Sequence, residues 1–277
     1  GTGGDGGHAQ SDLTYDELNA GFLIGRTTAS GGAGGSGATP GTGGGASAQA
    51  NLTAQYELRA YARATGGQGG YNSGDSGGNG GAAGNAKARA SATSTTSNAD
   101  NIQANAVANG GYGGSARSGD GASGGLSTEA YASATALNAT GSVQYDPYGG
   151  GTPAHPRARA LTGTAYAYAR GFGGTGGAGT GPTHVGGAGG AAVGVSATAT
   201  GYNVIAKASQ VGGGGGTGFD GASGGAGADS YLTNAVSGSV PSSMVLMTST
   251  NGTSAMIPAK SSGLRFATAP ISMPPAE

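Results

Sequence analysis

The chain has 277 residues, 65 of them glycine, with no cysteine, no tryptophan and a net charge of −1. The missing cysteine excludes disulfides, thiolate zinc sites and cysteine nucleophiles. Basic residues scattered along the chain give no electrostatic footprint for nucleic acid or an anionic membrane, and no stretch reaches the roughly 20 apolar residues of a membrane helix.

Taken from its start, the chain opens at Gly1 without a signal-like segment, so a mature product or a piece of a longer protein is expected. Residues 1–30 read as an N-terminal extension or cap. Within them SDLTYDELNAGFLIGRTT (Ser11 to Thr28) is the one helix start, with Thr14 and Glu17 spaced as a capping box. Phe22, Leu23 and Ile24 form its apolar triplet and are candidate assembly residues.

Residues 31–230 alternate between two textures. Glycine-dense blocks fall near 31–45, 66–85, 110–125, 171–190 and 212–228, and alternating alanine segments lie between them. One block of each kind makes a unit of about 35 to 45 residues, the mark of a repeat architecture. The alternating segments have a period of two, which is that of a strand with two different faces. Ala46 to Ala64 reads this way throughout, and its length predicts a bend near Leu52 to Glu57. Ala86, Ala88, Ala90 and Ala92 alternate with Lys87, Arg89 and Ser91, and Ala165, Ala167 and Ala169 bracket Tyr166 and Tyr168. The parity of the alanines changes after Ala136 and again after Gly201, so a bulge or a turn is expected at each place.

The glycine blocks have a period of three, carried without a miss by Gly212, Gly215, Gly218, Gly221, Gly224 and Gly227. Three residues per turn is the pitch of polyproline II, in which glycine at every third position lets chains pack closely. Doublets such as GGQGGY and GGTGGAG leave two of three faces bare. Ordered, packed segments of this type are expected rather than flexible linkers.

Residues 231–277 change texture: all four methionines, Met244, Met247, Met256 and Met273, lie here. The region reads as short strands broken by proline, a β cap or an arm between subunits. Met244, Leu246, Met256, Ile257 and Phe266 are its candidate assembly residues. The expected fold class is therefore all-β with little helix: repetitive alanine-alternating strands in a β-solenoid or sandwich-like stack, combined with glycine-rich polyproline II-like segments.

No catalytic constellation emerges. His8, His155 and His184 sit far apart in loops, and no HxxxH or HxH pair is present for zinc. Matches to GxGxxG are expected by chance at this glycine content and lack a strand-to-helix unit. The expectation is a protein that is not an enzyme and takes no cofactor. Tyr61, Tyr131, Tyr166 and Tyr168 fall on the polar side of the strands and are candidate partner-facing residues. Threonine is abundant beside alanine, but its spacing along the chain is irregular for an ice-ordering array.

The junctions GGNGGAAGNAKARASATS (Gly77 to Ser94) and GGAGGAAVGVSATATG (Gly186 to Gly201) resemble glycine- and alanine-rich exported bacterial surface and matrix proteins. The glycine blocks are also similar to those of phage tail-tip adhesins that pack polyglycine helices. The first resemblance implies a secreted, extracellular or cell-surface location, and a structural subunit of a filament or biofilm matrix that stacks through its backbone and adds strands between copies. The second implies an adhesin recognising a glycan or receptor. Ice binding is a third reading. The expected partners are further copies in a homopolymer, or a glycan or cell surface, with no nucleic acid and no transmembrane segment.

Overall fold

A computed structural model describes residues 1–75, 77–96, 101–136, 163–239 and 243–251. The described residues form strands and no helix. In chain order these are β1 (Ala9–Glu17), β2 (Phe22–Ser30), β3 (Ala46–Ala54), β4 (Glu57–Thr65), β5 (Ala86–Ser94), β6 (Asn101–Asn109), β7 (Ser127–Thr135), β8 (Thr164–Phe172), β9 (Gly179–Thr180), β10 (Val195–Thr200), β11 (Asn203–Val211), β12 (Gly218–Phe219), β13 (Val236–Ser239) and β14 (Ser243–Asn251).

The long strands are dealt alternately into two six-stranded parallel sheets. One is ordered β1-β3-β5-β7-β10-β13 and the other β2-β4-β6-β8-β11-β14. Parallel neighbours cannot be joined by a hairpin; here each is reached by one full circuit of the chain. That circuit crosses to the opposite sheet, runs through a glycine segment and returns one strand further along. Outside one bulge between β5 and β7, register is continuous, as in the row Ala50, Ala90, Ala132 and Ala197 of the first sheet. The row Ala60, Ala104, Ala167 and Ala206 does the same in the second sheet.

The core between the sheets is made of these inward alanines, with Leu52, Leu58, Ile102, Val195 and Val204 as its larger members. Each buried methyl contributes about 1 kcal/mol or less. A core so thin closes only if the sheets approach nearer than the roughly 10 Å usual for larger side chains. Where a leucine must fit, the opposite strand gives way. A Cβ on Gly25 would lie 2.6 Å from Leu13 Cδ2 and 2.7 Å from Leu52 Cδ2, so this strand glycine is the socket for two leucines.

The expected bend in Ala46 to Ala64 falls at residues 55–56, between β3 and β4. It carries the chain to the other sheet while keeping even-numbered residues inward on both strands. The change of parity after Gly201 lies at the two-residue connection between β10 and β11; that after Ala136 leads into residues outside the described set. The expected helix start at Ser11 to Thr28 is overturned: Thr14 and Glu17 lie in β1, and Phe22 begins β2. Pairing of β1 with β3 and of β2 with β4 along nine residues each supplies far more than a capping box returns, and tertiary pairing overrides the local signal.

The glycine segments are hydrogen-bonded throughout, on a cycle of three. Gly31, Gly34 and Gly37 donate to Thr65, Gln68 and Tyr71 of the next circuit. Gly32 and Gly35 donate instead to Gly7 and Gly4 of the preceding one, at 2.8 and 2.7 Å. The third set, Ala33 and Ser36, is exposed. Each segment also folds back on itself, with Gly41 bonded to Gly35 and Gly44 to Gly32. One file of bonds therefore runs from Gly7 through Gly32, Gly44, Gly67 and Gly84 onward to Ala228 on Gly213. Two of every three positions abut another backbone, which is why glycine doublets separated by one variable residue fill these segments.

A Cβ on Gly84 would overlap the Gly44 carbonyl and lie 2.8 Å from Gly67 N, with backbone on both sides, whereas Gly214 meets only Thr175 Cγ2 at 3.8 Å. Gly84→Ala is expected to destabilise the fold by about 1–3 kcal/mol. Gly214→Ala, at a position without positive φ, is expected to be neutral or stabilising by up to about 1 kcal/mol through the unfolded chain. Thermal denaturation of the two variants beside the parent chain checks both.

Candidate functional site

With the inner faces given to the core and the glycine segments to one another, the two outer sheet faces carry the side chains available for function. They differ in chemistry.

On the first sheet, register turns an irregular scatter of hydroxyls into rows. Thr53, Thr93, Thr135 and Thr200 stand side by side on β3, β5, β7 and β10. Asn51, Ser91, Ser133 and Thr198 form the adjacent row. Thr198 Oγ1 lies 2.9 Å from Ser237 Oγ on β13. The sequence hides this order because the residues of a row are about one circuit apart.

The same face holds a charged cluster built by a bulge. Between Ala86 and Lys87 the pairing with β7 skips from Ser127 to Glu129, so the chain spends one extra residue at Thr128. Gly194, with φ of 66°, sits against the Thr128 carbonyl, where a Cβ would be strained. The bulge turns Glu129 onto the outer face, between Lys87 Nζ at 3.1 Å and Arg89 Nε at 2.6 Å. Burial pushes the Glu129 carboxyl up, but hydrogen bonds from Arg89 and Lys87 outweigh it and hold the group below its ordinary 4.5. The cluster borders a shallow depression of about 390 Å³ lined by Gln49, Asn51, Ser91 and Tyr131.

On the second sheet the outer face gathers Arg26, Arg59, Arg63, Arg170 and Lys207, from β2, β4, β8 and β11. Glu57 is the one carboxylate among the described residues of that face, and it pairs with Arg59 at 2.6 Å. Basic residues scattered in sequence are thus collected by register on one surface. Aromatic rings lie between them. Arg26 stands 4.9 Å from the Tyr61 centroid, Lys207 5.4 Å from that of Tyr168, and Arg170 5.1 Å from that of Phe172. The Tyr61 hydroxyl donates to Gln103 Oε1 at 3.2 Å.

Tyr61, Tyr166 and Tyr168 therefore share one surface, whereas Tyr131 lies on the outer face of the opposite sheet, beside Arg89. Phe22 and Ile24 are exposed on β2, Phe22 under Arg59 at 5.5 Å, and Leu23 packs inward against the core. Met244 and Leu246 lie in β14, in register with Val204 and Ala206. Met256, Ile257 and Phe266 fall outside the described residues.

The histidines serve the glycine segments. His8 Nδ1 accepts the Gly45 N–H at 2.9 Å. His184 Nδ1 lies 3.2 Å from Asp120 Oδ1, which also accepts the Val185 N–H at 2.9 Å; His155 is outside the described set. Among the described residues no group of three or more His, Cys, Asp or Glu is placed to hold a metal ion. No helix there is long and apolar enough to cross a membrane.

Because Glu129 titrates below its unfolded value, the stability it contributes is fully present above about pH 4.5 and is lost as pH falls through the folded value. Glu129→Gln is expected to lower stability at neutral pH by up to about 1 kcal/mol, since the cluster is partly exposed. The difference from the parent chain should vanish in acid. Urea titrations at neutral and acid pH, read at matched ionic strength, measure it.

Comparison of the chain with known protein families, with curated protein sequences and with solved structures finds no match.

Proposed function

We propose that the chain is a secreted structural protein, a subunit of an extracellular filament or matrix in which copies add head to tail. The circuits are turns of a β-solenoid on this reading, and the glycine segments are polyglycine II-type helices packed beside it. The observation that carries the reading is the file of backbone bonds by which each described circuit stacks on the next. Among the described residues β1 and β2 have neighbours on one side only. Gly4 and Gly7 would accept a Cβ with nothing within 4 Å, while Gly41 and Gly44, their equivalents one circuit on, are closed by backbone.

The regular bonds that stack one circuit on the next are backbone bonds, with side-chain bonds such as Gly45 to His8 added at single places, so the same backbone pattern is available to a second copy. On this reading β1 and β2 of one copy extend the sheets whose last described strands are β13 and β14 of another. Such a head-to-tail contact does not close on itself by symmetry and gives an open filament.

Ala9 N donates inward to Gly45 O, so in a parallel ladder the N–H groups of Gln10, Asp12 and Thr14 point to the open side. Thr14→Pro removes one of these without touching an inward bond. The parent chain is expected to form concentration-dependent filaments under the electron microscope, and Thr14→Pro to remain short or monomeric with its strand circular dichroism intact. Monomers alone at every concentration, or unchanged filaments of the proline variant, contradict the proposal.

The threonine row favours a second reading. Hydroxyls in register on a parallel sheet repeat at the strand spacing of about 4.8 Å, a lattice suited to ordering water. Thermal hysteresis in the parent chain that disappears in Thr93→Lys/Thr135→Lys supports ice binding; an ordinary freezing point in the parent removes it.

A further inference from the structure

The outer face of β2, β4, β6, β8 and β11 has more positive charge than the fold requires. Arg26, Arg63, Arg170 and Lys207 have no carboxylate partner among the described residues. Arg59 and Arg170 each keep an Nε–H that is shielded from solvent and unpartnered, although Arg59 does bond Glu57 through another nitrogen. Apart from Glu57, the described carboxylates lie off this face, among them Asp12, Asp16 and Glu17 on β1, Glu129 on β7, and Asp5, Asp75 and Asp120 on the glycine segments. Like charges gathered on a rigid surface repel one another, and no core contact in this fold calls for them.

We propose that this face binds an acidic polysaccharide, a chain of uronate sugars, laid across the strands. Planar guanidinium groups take carboxylates in a bidentate fashion. Register supplies the rest of a sugar-binding surface. The row Arg26, Tyr61, Asn105, Tyr168 and Lys207 crosses five strands, and the row beside it places Arg59, Gln103 and Tyr166 in line. Amides between the rings offer both donors and acceptors for sugar hydroxyls, and the tyrosine hydroxyls at the ring edges add to them.

The arrangement of the rings favours a uronate over a single-stranded nucleic acid. Base stacking needs a free aromatic face, and here cations already stand over Tyr61, Tyr168 and Phe172. A polymer that brings anions and hydroxyls, but no bases, uses the face as it is. This surface lies on the side of the sheet rather than at its end, so it acts whether or not copies stack.

The test measures binding of the full chain to polygalacturonate, with dextran as the neutral control and single-stranded oligothymidylate as the nucleic-acid arm, at low and at physiological salt. Binding to polygalacturonate that weakens with salt is expected, with none to dextran. Arg26→Glu/Lys207→Glu, both outward-facing, is expected to weaken it by about tenfold or more, whereas Lys87→Gln on the opposite sheet leaves it within about twofold. Circular dichroism of the double variant establishes that it is folded, and Arg63→Gln gives a second reading of the same face. No binding to polygalacturonate at low salt overturns the proposal. So does equal binding by the folded double variant, or tighter binding to oligothymidylate.

Discussion

The hydrogen bond that Gly44 donates to Gly32, repeated from Gly7 to Ala228, sets the terms for the rest of the molecule. It ties the outward and return legs of one circuit together, and the next bond in the file ties that circuit to its neighbour. Backbones this close leave no room for Cβ, so composition follows from geometry. Glycine carries the largest entropic cost on ordering, and here each pair of interior glycines returns bonds in two directions for every residue fixed. The thin alanine core obeys the same constraint. Circuits locked at the strand spacing by their glycine legs hold the two sheets in register, and alanine methyl groups fill most of the gap between them.

A scaffold held by its backbone releases its side chains. The two outer faces can differ as widely as hydroxyl rows and a cation-rich aromatic surface, because neither carries the backbone bonding that holds the fold. Functional character is then written in columns: a residue acts with the one at the same register position about a circuit away. Tyr61 meets Asn105 and Tyr168 on this basis, and Thr93 meets Thr53 and Thr135. The exception is the Glu129 cluster, where a single extra residue at Thr128 brings a carboxylate between two cations that the regular register would leave unpaired.

Much of the fold was legible in the sequence. Period two in Ala86 to Ala92 and the bend before Glu57 follow from local spacing, and the structure has strands and a break at those places. The run Gly212 to Gly227 donates every third residue at Gly213 and Gly216 but is interrupted by a turn at Phe219 to Gly221 that its unbroken spacing does not announce. The N-terminal segment was misread, because Thr14 and Glu17 carry a helix-start signal whose competitor, pairing with β3, lies 37 positions away in sequence. The surfaces were the least legible. Arg26 and Lys207 look scattered until register aligns them, and nothing local to Tyr131 places it on the opposite sheet from Tyr61. The bulge at Thr128 leaves only a parity mismatch between Ser127 and Ala130, which is visible once the inward set is known.

The account stands on the claim that the glycine segments are as much a part of the cooperative fold as the alanine strands. Native-state hydrogen exchange tests it most directly, by comparing the amides of Gly44, Gly67, Gly84 and Gly111 with those of Ala88 and Ala104. Equal protection in both sets, rising together to the global unfolding free energy, is the predicted result. Glycine amides that exchange as an unstructured chain does, beside protected strands, would contradict it.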